Sequence, residues 1–189
     1  MRGSLPGFAG WRLHDHDSCI NIDGERVSWH KADRTAVRYL GKQIEVSGDF
    51  LHGFVVCLLD GEVEDSLNQG FIRLWEIRND WDDRTWVYAH KKGGGWTIHF
   101  EQLHDRVNTF AFHGSSPLGF GIRYVVKVSR AGGSYRLTVQ DGAGLVVEDT
   151  RNIEGVPKGY GCVWLASTIK SRRNNHNWSS GYIENLTIA

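Results

Sequence analysis

Short runs of alternating apolar and polar residues, separated by glycine-rich turns, are the feature of this sequence that most restricts its fold. Residues 122–129 and 135–140 alternate with period two, as strands with one buried face do. Asp60-Gly61, Asp141-Gly142 and Ala131-Gly132-Gly133 lie between such runs and are typical hairpin turns. Almost no stretch has the periodicity of a helix. The sequence therefore predicts an all-β fold of many short strands.

The predicted strands follow one another at short, regular intervals. They cover residues 19–22, 26–29, 36–40, 49–59, 71–77, 85–90, 96–101, 108–112, 122–129, 135–140, 145–148, 161–167 and 182–188. This spacing is typical of a sandwich or a barrel. The 189 residues contain no linker, no internal repeat and no low-complexity tract. We therefore expect one domain over residues 1–189, a two-sheet antiparallel sandwich.

The charge balance and the hydropathy exclude several classes of partner. Lys plus Arg and Asp plus Glu both number 22, so the formal net charge is zero. Proteins that bind nucleic acid or anionic membranes usually carry an excess of basic residues, which this chain lacks. No apolar stretch approaches the roughly 20 residues of a membrane span. We expect no nucleic-acid partner and no membrane partner, and the oligomeric state stays open.

Targeting and redox signals are weak. Residues 1–10 lack the long apolar run of a secretory signal. The start Met-Arg-Gly-Ser is also typical of an added leader, which would have replaced a native signal, so an extracellular location stays open. The three cysteines, Cys19, Cys57 and Cys162, are too few for a disulfide framework and lack zinc-site spacing. We interpret Cys57 and Cys162 as small buried hydrophobes.

The alternation in residues 71–77 and 84–90 separates apolar side chains from an aromatic and charged set. Ile72, Leu74 and Val87 fall on one face, which we assign to the core. The other face receives Arg73, Trp75, Trp86 and Tyr88. Flat rings stack on the apolar face of a sugar, and polar neighbours bond its hydroxyls. The pattern therefore indicates a carbohydrate-binding surface, unless the indoles pack under loops or in the core.

His99 extends this surface onto the next predicted strand. His99 and Glu101 share one face of residues 96–101, opposite Trp96, Ile98 and Phe100. Trp164 and Trp178 supply two further rings in the last third of the chain. The expected ligand-binding set is therefore Arg73, Trp75, Trp86, Tyr88, His99, Glu101, Trp164 and Trp178.

Four segments near the C-terminus follow one another in a distinctive order. Residues 122–129 and 135–141 form a hairpin pattern, residues 159–166 a glycine-led strand, and residues 181–188 a closing terminal strand. This order, with Gly48-Asp49-Phe50 opening a long strand, resembles the concanavalin A-like (laminin-G-like) lectin/glucanase superfamily. The resemblance implies a jelly-roll sandwich whose concave sheet binds glycans in many members. We take a non-catalytic, lectin-like carbohydrate-binding domain with a glycan or polysaccharide partner as the leading hypothesis, and assign no catalytic residue.

An enzyme on the same fold is the alternative. Thr97-Ile98-His99 is similar to the Gln-Ile-His motif of alginate-lyase-like members, with Thr97 in place of Gln. Arg73-Leu-Trp-Glu-Ile-Arg78 is similar to their Arg-(Ser/Thr)-Glu-Leu-Arg motif but has one residue too many, and their Tyr/Lys-rich C-terminal motif is absent. In a polysaccharide lyase of this kind, the resemblance implies acid/base work by His99 and Tyr88.

The acidic and histidine clusters of the sequence give only weak support for a glycoside hydrolase or for a metal site. The resembled glucanases carry Glu-x-Asp-x-x-Glu on one strand, but after Glu76 this sequence has Arg78 at the central position. We interpret residues 79–83, with their three aspartates, as a solvated turn. We expect no cofactor, and calcium is the one ion that these aspartates could bind. His14-Asp15-His16-Asp17 reads as a polar segment before the first strand. A structural or protein-interaction sandwich is the third class of function.

Overall fold

The computed structural model describes most of the chain and contains two packed sheets. The described residues are 11–15, 18–33, 38–41, 45–46, 49–62, 71–78, 84–92, 95–104, 107–152, 159–162, 167–168 and 178–188. Their secondary structure is all β, with no helix among them. The all-β prediction is confirmed.

The strands agree with the alternation in the sequence at most places. They are β1 Arg12–Asp15, β2 Ile20–Asp23, β3 Arg26–Asp33, β4 Arg38–Gly41, β5 Glu45–Val46, β6 Phe50–Glu62, β7 Phe71–Arg78, β8 Arg84–Lys92, β9 Gly95–His104, β10 Val107–Pro117, β11 Arg123–Ala131, β12 Ser134–Asp141, β13 Gly144–Asn152, β14 Gly159–Cys162, β15 Ser167–Thr168 and β16 Trp178–Ile188. The polar lead-in predicted for residues 14–17 is wrong in part, because His14 and Asp15 belong to β1, which pairs with β4.

Two antiparallel sheets form the sandwich, with β1 and β4 as a separate ribbon. Among the described residues, one sheet has the order β10-β9-β8-β7-β14-β5, with β15 also paired to β7. The other has the order β13-β12-β11-β6-β16-β3-β2. Strand β16 lies between β6 and β3, so it is an interior strand of its sheet.

The core lies between the two sheets and follows the predicted parity. On β11 and β12, Val126, Val128 and Leu137 are 1% exposed or less, while Lys127 faces outward. On β9, Ile98 and Phe100 also pack into the core. Each such side chain contributes about 1.5–3 kcal/mol when fully buried. Cys57 is a free, buried thiol, as expected, whereas the side chain of Cys162 lies outside the described part of the structure.

A neutral histidine is part of this core. His52 on β6 is 2% exposed, and its ring lies 4.9 Å from Phe50 and 5.6 Å from Trp75 between ring centroids. The Trp75 indole N–H donates to His52 Nδ1 at 3.2 Å. Burial disfavours the charged imidazolium and lowers the pKa of His52 to about 4. His52 is therefore the neutral tautomer with its proton on Nε2.

Acidification is expected to destabilise the fold through His52. The unfolded histidine takes up a proton below about pH 6.5, but the folded one does so only near its pKa of about 4. The unfolded state therefore binds more protons in this window, and the free energy of unfolding falls by about 3 kcal/mol from pH 6.5 to pH 4. Urea unfolding at pH 7, 5.5 and 4.5 measures this loss.

A variant without the titrating ring isolates the His52 contribution. His52→Asn keeps an oxygen that can accept the Trp75 N–H, and it should lose less stability on acidification than the wild type. His30→Asn, at an exposed position of β3, is the matched control and should follow the wild type. Equal losses in His52→Asn and the wild type would contradict the assignment.

Candidate functional site

A β-bulge in β7 decides which of its side chains reach the surface of the β7–β8–β9 sheet. Arg73 pairs with Tyr88 and Trp75 pairs with Val87, so Leu74 is an extra residue without a partner on β8. Leu74 and Trp75 are 0% and 1% exposed, and both belong to the core. A bulge of this kind shifts the alternation by one position. From Trp75 onward, β7 therefore has the opposite parity to its first residues.

The prediction that Trp75 lies on the ligand-binding face is therefore wrong. Its indole packs against Phe50, with ring centroids 6.3 Å apart, and bonds to His52 inside the sandwich. Period-two alternation holds only while each residue opposes one partner, and Leu74 breaks that condition. Leu74 and Val87, assigned to the core from the sequence, are fully buried there.

The surface of β7, β8 and β9 that points away from the core is called the site face below. Directly paired residues share a face, so the strand register defines its rows. One row runs from Glu76 through Trp86 to Glu101. The next row runs from Arg73 through Tyr88 to His99. The structure thus places Trp86, Tyr88, His99 and Glu101 on one face, as predicted. On β7, Glu76 lies on this face in the position expected for Trp75.

Three rings form a continuous group on the site face, called the ring row. The centroids of Trp86 and Tyr88 lie 4.8 Å apart, and Tyr88 stacks on His99 at 5.0 Å with 23° between the planes. Unlike Trp96, Ile98 and Phe100, these rings lie outside the hydrophobic core. Trp86, Tyr88 and His99 are only 5%, 8% and 6% exposed. They therefore have little open surface on which a sugar could stack.

Two partly exposed polar side chains of β9 are bonded to the ring row. The Trp86 indole N–H donates to Glu101 Oε2 at 2.7 Å, a charge-assisted hydrogen bond. Thr97 Oγ1 lies 2.8 Å from His99 Nε2, in a hydrogen bond whose direction depends on the His99 tautomer. Thr97 and Glu101 are partly exposed, whereas the three bonded or neighbouring rings are buried. The part of this face that a ligand can reach thus includes Thr97 and Glu101.

The remaining predicted residues have different outcomes. The backbone of Arg73 lies opposite Tyr88, but its side chain is outside the described part. Trp164, like residues 79–83 and His16, also lies outside the described residues. Trp178 is the partly buried first residue of β16 and pairs with Asp33 and Glu62 in the other sheet.

Glu76 lies on the site face although the alternation in the sequence did not predict it there. Its side chain is 1% exposed, and its position pairs with Trp86 on β8 and Cys162 on β14. The extra residue in Arg73-Leu-Trp-Glu-Ile-Arg78 was the one feature of the sequence that could have indicated this position of Glu76. With Leu74 in the bulge, the register places Arg73, Glu76 and Arg78 opposite Tyr88, Trp86 and Arg84. The segment then follows the alternation of the similar Arg-(Ser/Thr)-Glu-Leu-Arg motif.

The described residues bear on two further features, a metal site and a membrane-spanning helix. No group of three or more His, Cys, Asp or Glu side chains among them could hold a metal ion. Within the same residues, no helix has the length and apolarity needed to cross a membrane.

Comparison with known proteins identifies the fold. No protein-family profile and no curated protein sequence matches the chain. An alginate lyase from Klebsiella pneumoniae is similar in structure, with a TM-score of 0.72, 11% identity, and coverage of 98% of this chain and 96% of the lyase. The chain has the concanavalin A-like jelly-roll fold.

Two further solved structures represent binding proteins on the same fold. A legume lectin-like domain from Entamoeba histolytica has a TM-score of 0.62 at 8% identity, covering 95% of this chain and 89% of the domain. Carbohydrate-binding module CBM66 from Bacillus subtilis has a TM-score of 0.53 at 14% identity, covering 95% and 94%. Structures similar to this jelly roll thus include a sugar-cleaving enzyme, a lectin-like domain and a carbohydrate-binding module. At these identities, the similarity establishes the fold alone, and the activity has to be inferred from the side chains of the site.

Proposed function

We propose that this domain binds a glycan on the site face of β7, β8 and β9. The observation that carries the proposal is the ring row with its two bonded side chains. Three rings outside the hydrophobic core lie beside Thr97 and Glu101, which are bonded to two of them at 2.8 and 2.7 Å. A hydroxyl and a carboxylate held in place at a partly open surface suit the hydroxyl groups of a sugar.

The burial of the rings defines their role in this proposal. Trp86 and Tyr88 have only 5% and 8% of their surface exposed, so their faces are not an open stacking platform. They hold Glu101 and His99 in position, and the sugar contacts the polar groups and the ring edges. Fixed polar groups bind with a smaller entropic cost than flexible ones.

Removal of these groups is expected to weaken binding to a polysaccharide. The wild type is first screened by affinity electrophoresis in gels containing alginate, xylan, mixed-linkage glucan, mannan or pectate. Glu101→Ala and His99→Ala are then tested in the gel that retards the wild type most. Glu101→Ala should weaken binding about ten- to a hundredfold, since a lost bond to a carboxylate costs about 1.5–3 kcal/mol, and His99→Ala should weaken it roughly three- to tenfold.

A change on the other sheet is the matched control. Lys127→Ala removes an exposed charge from the outer face of β11, and its affinity should equal that of the wild type. Thermal unfolding confirms that each variant is folded. Wild-type affinity in both Glu101→Ala and His99→Ala would exclude this face as the site.

A second candidate function is polysaccharide cleavage by β-elimination. The stacked Tyr88–His99 pair favours it, together with the register that sets Arg73, Glu76 and Arg78 opposite alternate residues of β8. In such a reaction, a base removes the proton next to the uronate carboxyl. A double bond then forms as the glycosidic C–O bond breaks, and an acid protonates the leaving oxygen. New ultraviolet absorbance from unsaturated sugars, lost in His99→Ala and Tyr88→Phe, would establish a lyase. Retention on the gels without such product would establish a binding domain.

A further inference from the structure

We infer that the ligand of the site face is an oligosaccharide segment that runs along β9 from Thr97 to Glu101, rather than a single sugar. This inference rests on the proposed function and adds the size and the direction of the ligand. It follows from the two partly exposed polar groups on β9 and the distance between them.

The two groups are too far apart for one sugar unit. Thr97, His99 and Glu101 occupy every second position of β9, so their side chains emerge on the same face. At about 3.3 Å per residue, the four steps from Thr97 to Glu101 span about 13 Å. One pyranose ring cannot contact both ends of that distance, whereas a short chain of linked sugars can.

Each end of this line is fixed independently by a ring of the ring row. Thr97 is held by its bond to His99, and Glu101 is held by the Trp86 indole on the neighbouring strand. Both side chains are therefore ordered before a ligand arrives, which lowers the entropic cost of binding at each end. Two separate fixed contacts on one straight strand favour an extended ligand.

The direction of the ligand follows from β9, and the aromatic residues of β8 lie along one side of that strand. Tyr88 pairs with His99, and Trp86 pairs with Glu101, so the two large aromatic residues border β9 on the same side. Their rings are in contact with each other, at 4.8 Å between centroids, and form a continuous border parallel to β9. Because Thr97 and Glu101 lie on the same strand, a ligand that touches both follows β9 instead of crossing the strands.

A length series tests the inference directly. Titration calorimetry uses cello-, xylo- and manno-oligosaccharides and oligouronates of one to five units. Affinity should rise at least tenfold from one unit to three and then level off. Thr97→Val, which removes the hydroxyl, should weaken trisaccharide binding roughly three- to tenfold. Because the ends are more than 10 Å apart, the effects of Thr97→Val and Glu101→Ala should multiply in the double variant.

The controls separate this inference from the function on which it rests. Thr138→Val is the matched change on the other sheet and should bind every length like the wild type. A monosaccharide that binds as tightly as the trisaccharide would overturn the inference while the proposed function stands. Wild-type trisaccharide affinity in a folded Thr97→Val would do the same. If no sugar of any length binds, the proposed function fails, and the inference fails with it.

Discussion

Replacing Gly181 with alanine is expected to lower the free energy of unfolding by about 3 kcal/mol, near the upper end of typical overpacking costs. A methyl group at this position of β16 would lie 2.6 Å from the carbonyl oxygen of Cys57 and 2.7 Å from Cζ2 of Trp29. The first neighbour is backbone of a central strand. The second belongs to a buried indole whose N–H donates to Ser179 Oγ at 3.0 Å. Neither can move without disturbing the sheet, and urea unfolding at pH 7 measures the cost.

The matched control for this change is Gly53→Ala on the adjacent strand β6. The nearest atoms to its added methyl group would be Lys127 Cγ and the Val126 carbonyl oxygen, both at 3.8 Å. That is an ordinary contact, and alanine loses less backbone entropy on folding than glycine. Gly53→Ala should therefore be neutral or stabilising by up to about 1 kcal/mol. If Gly181→Ala is as stable as Gly53→Ala, the close packing of β16 on β6 and Trp29 is wrong.

Local patterns in the sequence were sufficient to predict much of the sandwich. On β11 and β12, side chains alternate between core and solvent with one partner per residue, as the period-two pattern of residues 122–129 and 135–140 predicted. The same reasoning placed Trp86, Tyr88, His99 and Glu101 on one face, because β8 and β9 pair without a register shift. The pairing of two strands joined by a short turn can be predicted from the sequence because the turn residues set its register.

The features that the sequence did not reveal depend on contacts between distant segments. The two-residue strand β5 shows too little alternation to detect, and it exists because it pairs with β14 more than a hundred residues later. The parity of β7 changes at Leu74, and an extra residue in a motif does not show whether a bulge absorbs it. This single bulge moved Trp75 into the core and Glu76 onto the site face. A site composed from several strands is therefore sensitive to one local irregularity.

The Trp75→Ala variant is expected to lose about 4 kcal/mol of stability, the range for removing a large buried aromatic ring. Its indole is 1% exposed and packs on Phe50 and His52. Truncation leaves a cavity and also removes the N–H that satisfies His52 Nδ1. Urea unfolding gives the loss, and a variant too unstable to fold would agree with this prediction.

A comparison with Trp86 makes the prediction specific to the bulge. Trp75→Phe keeps a ring in the core, so it should remain folded and keep the glycan affinity of the wild type. Trp86→Phe should also fold, but it loses the N–H that fixes Glu101, so its glycan affinity should fall several-fold. The opposite result, with binding lost in Trp75→Phe and kept in Trp86→Phe, would mean that β7 has no bulge at Leu74. Trp75 would then face the ligand, and the uninterrupted alternation of the sequence would be the better description of this strand.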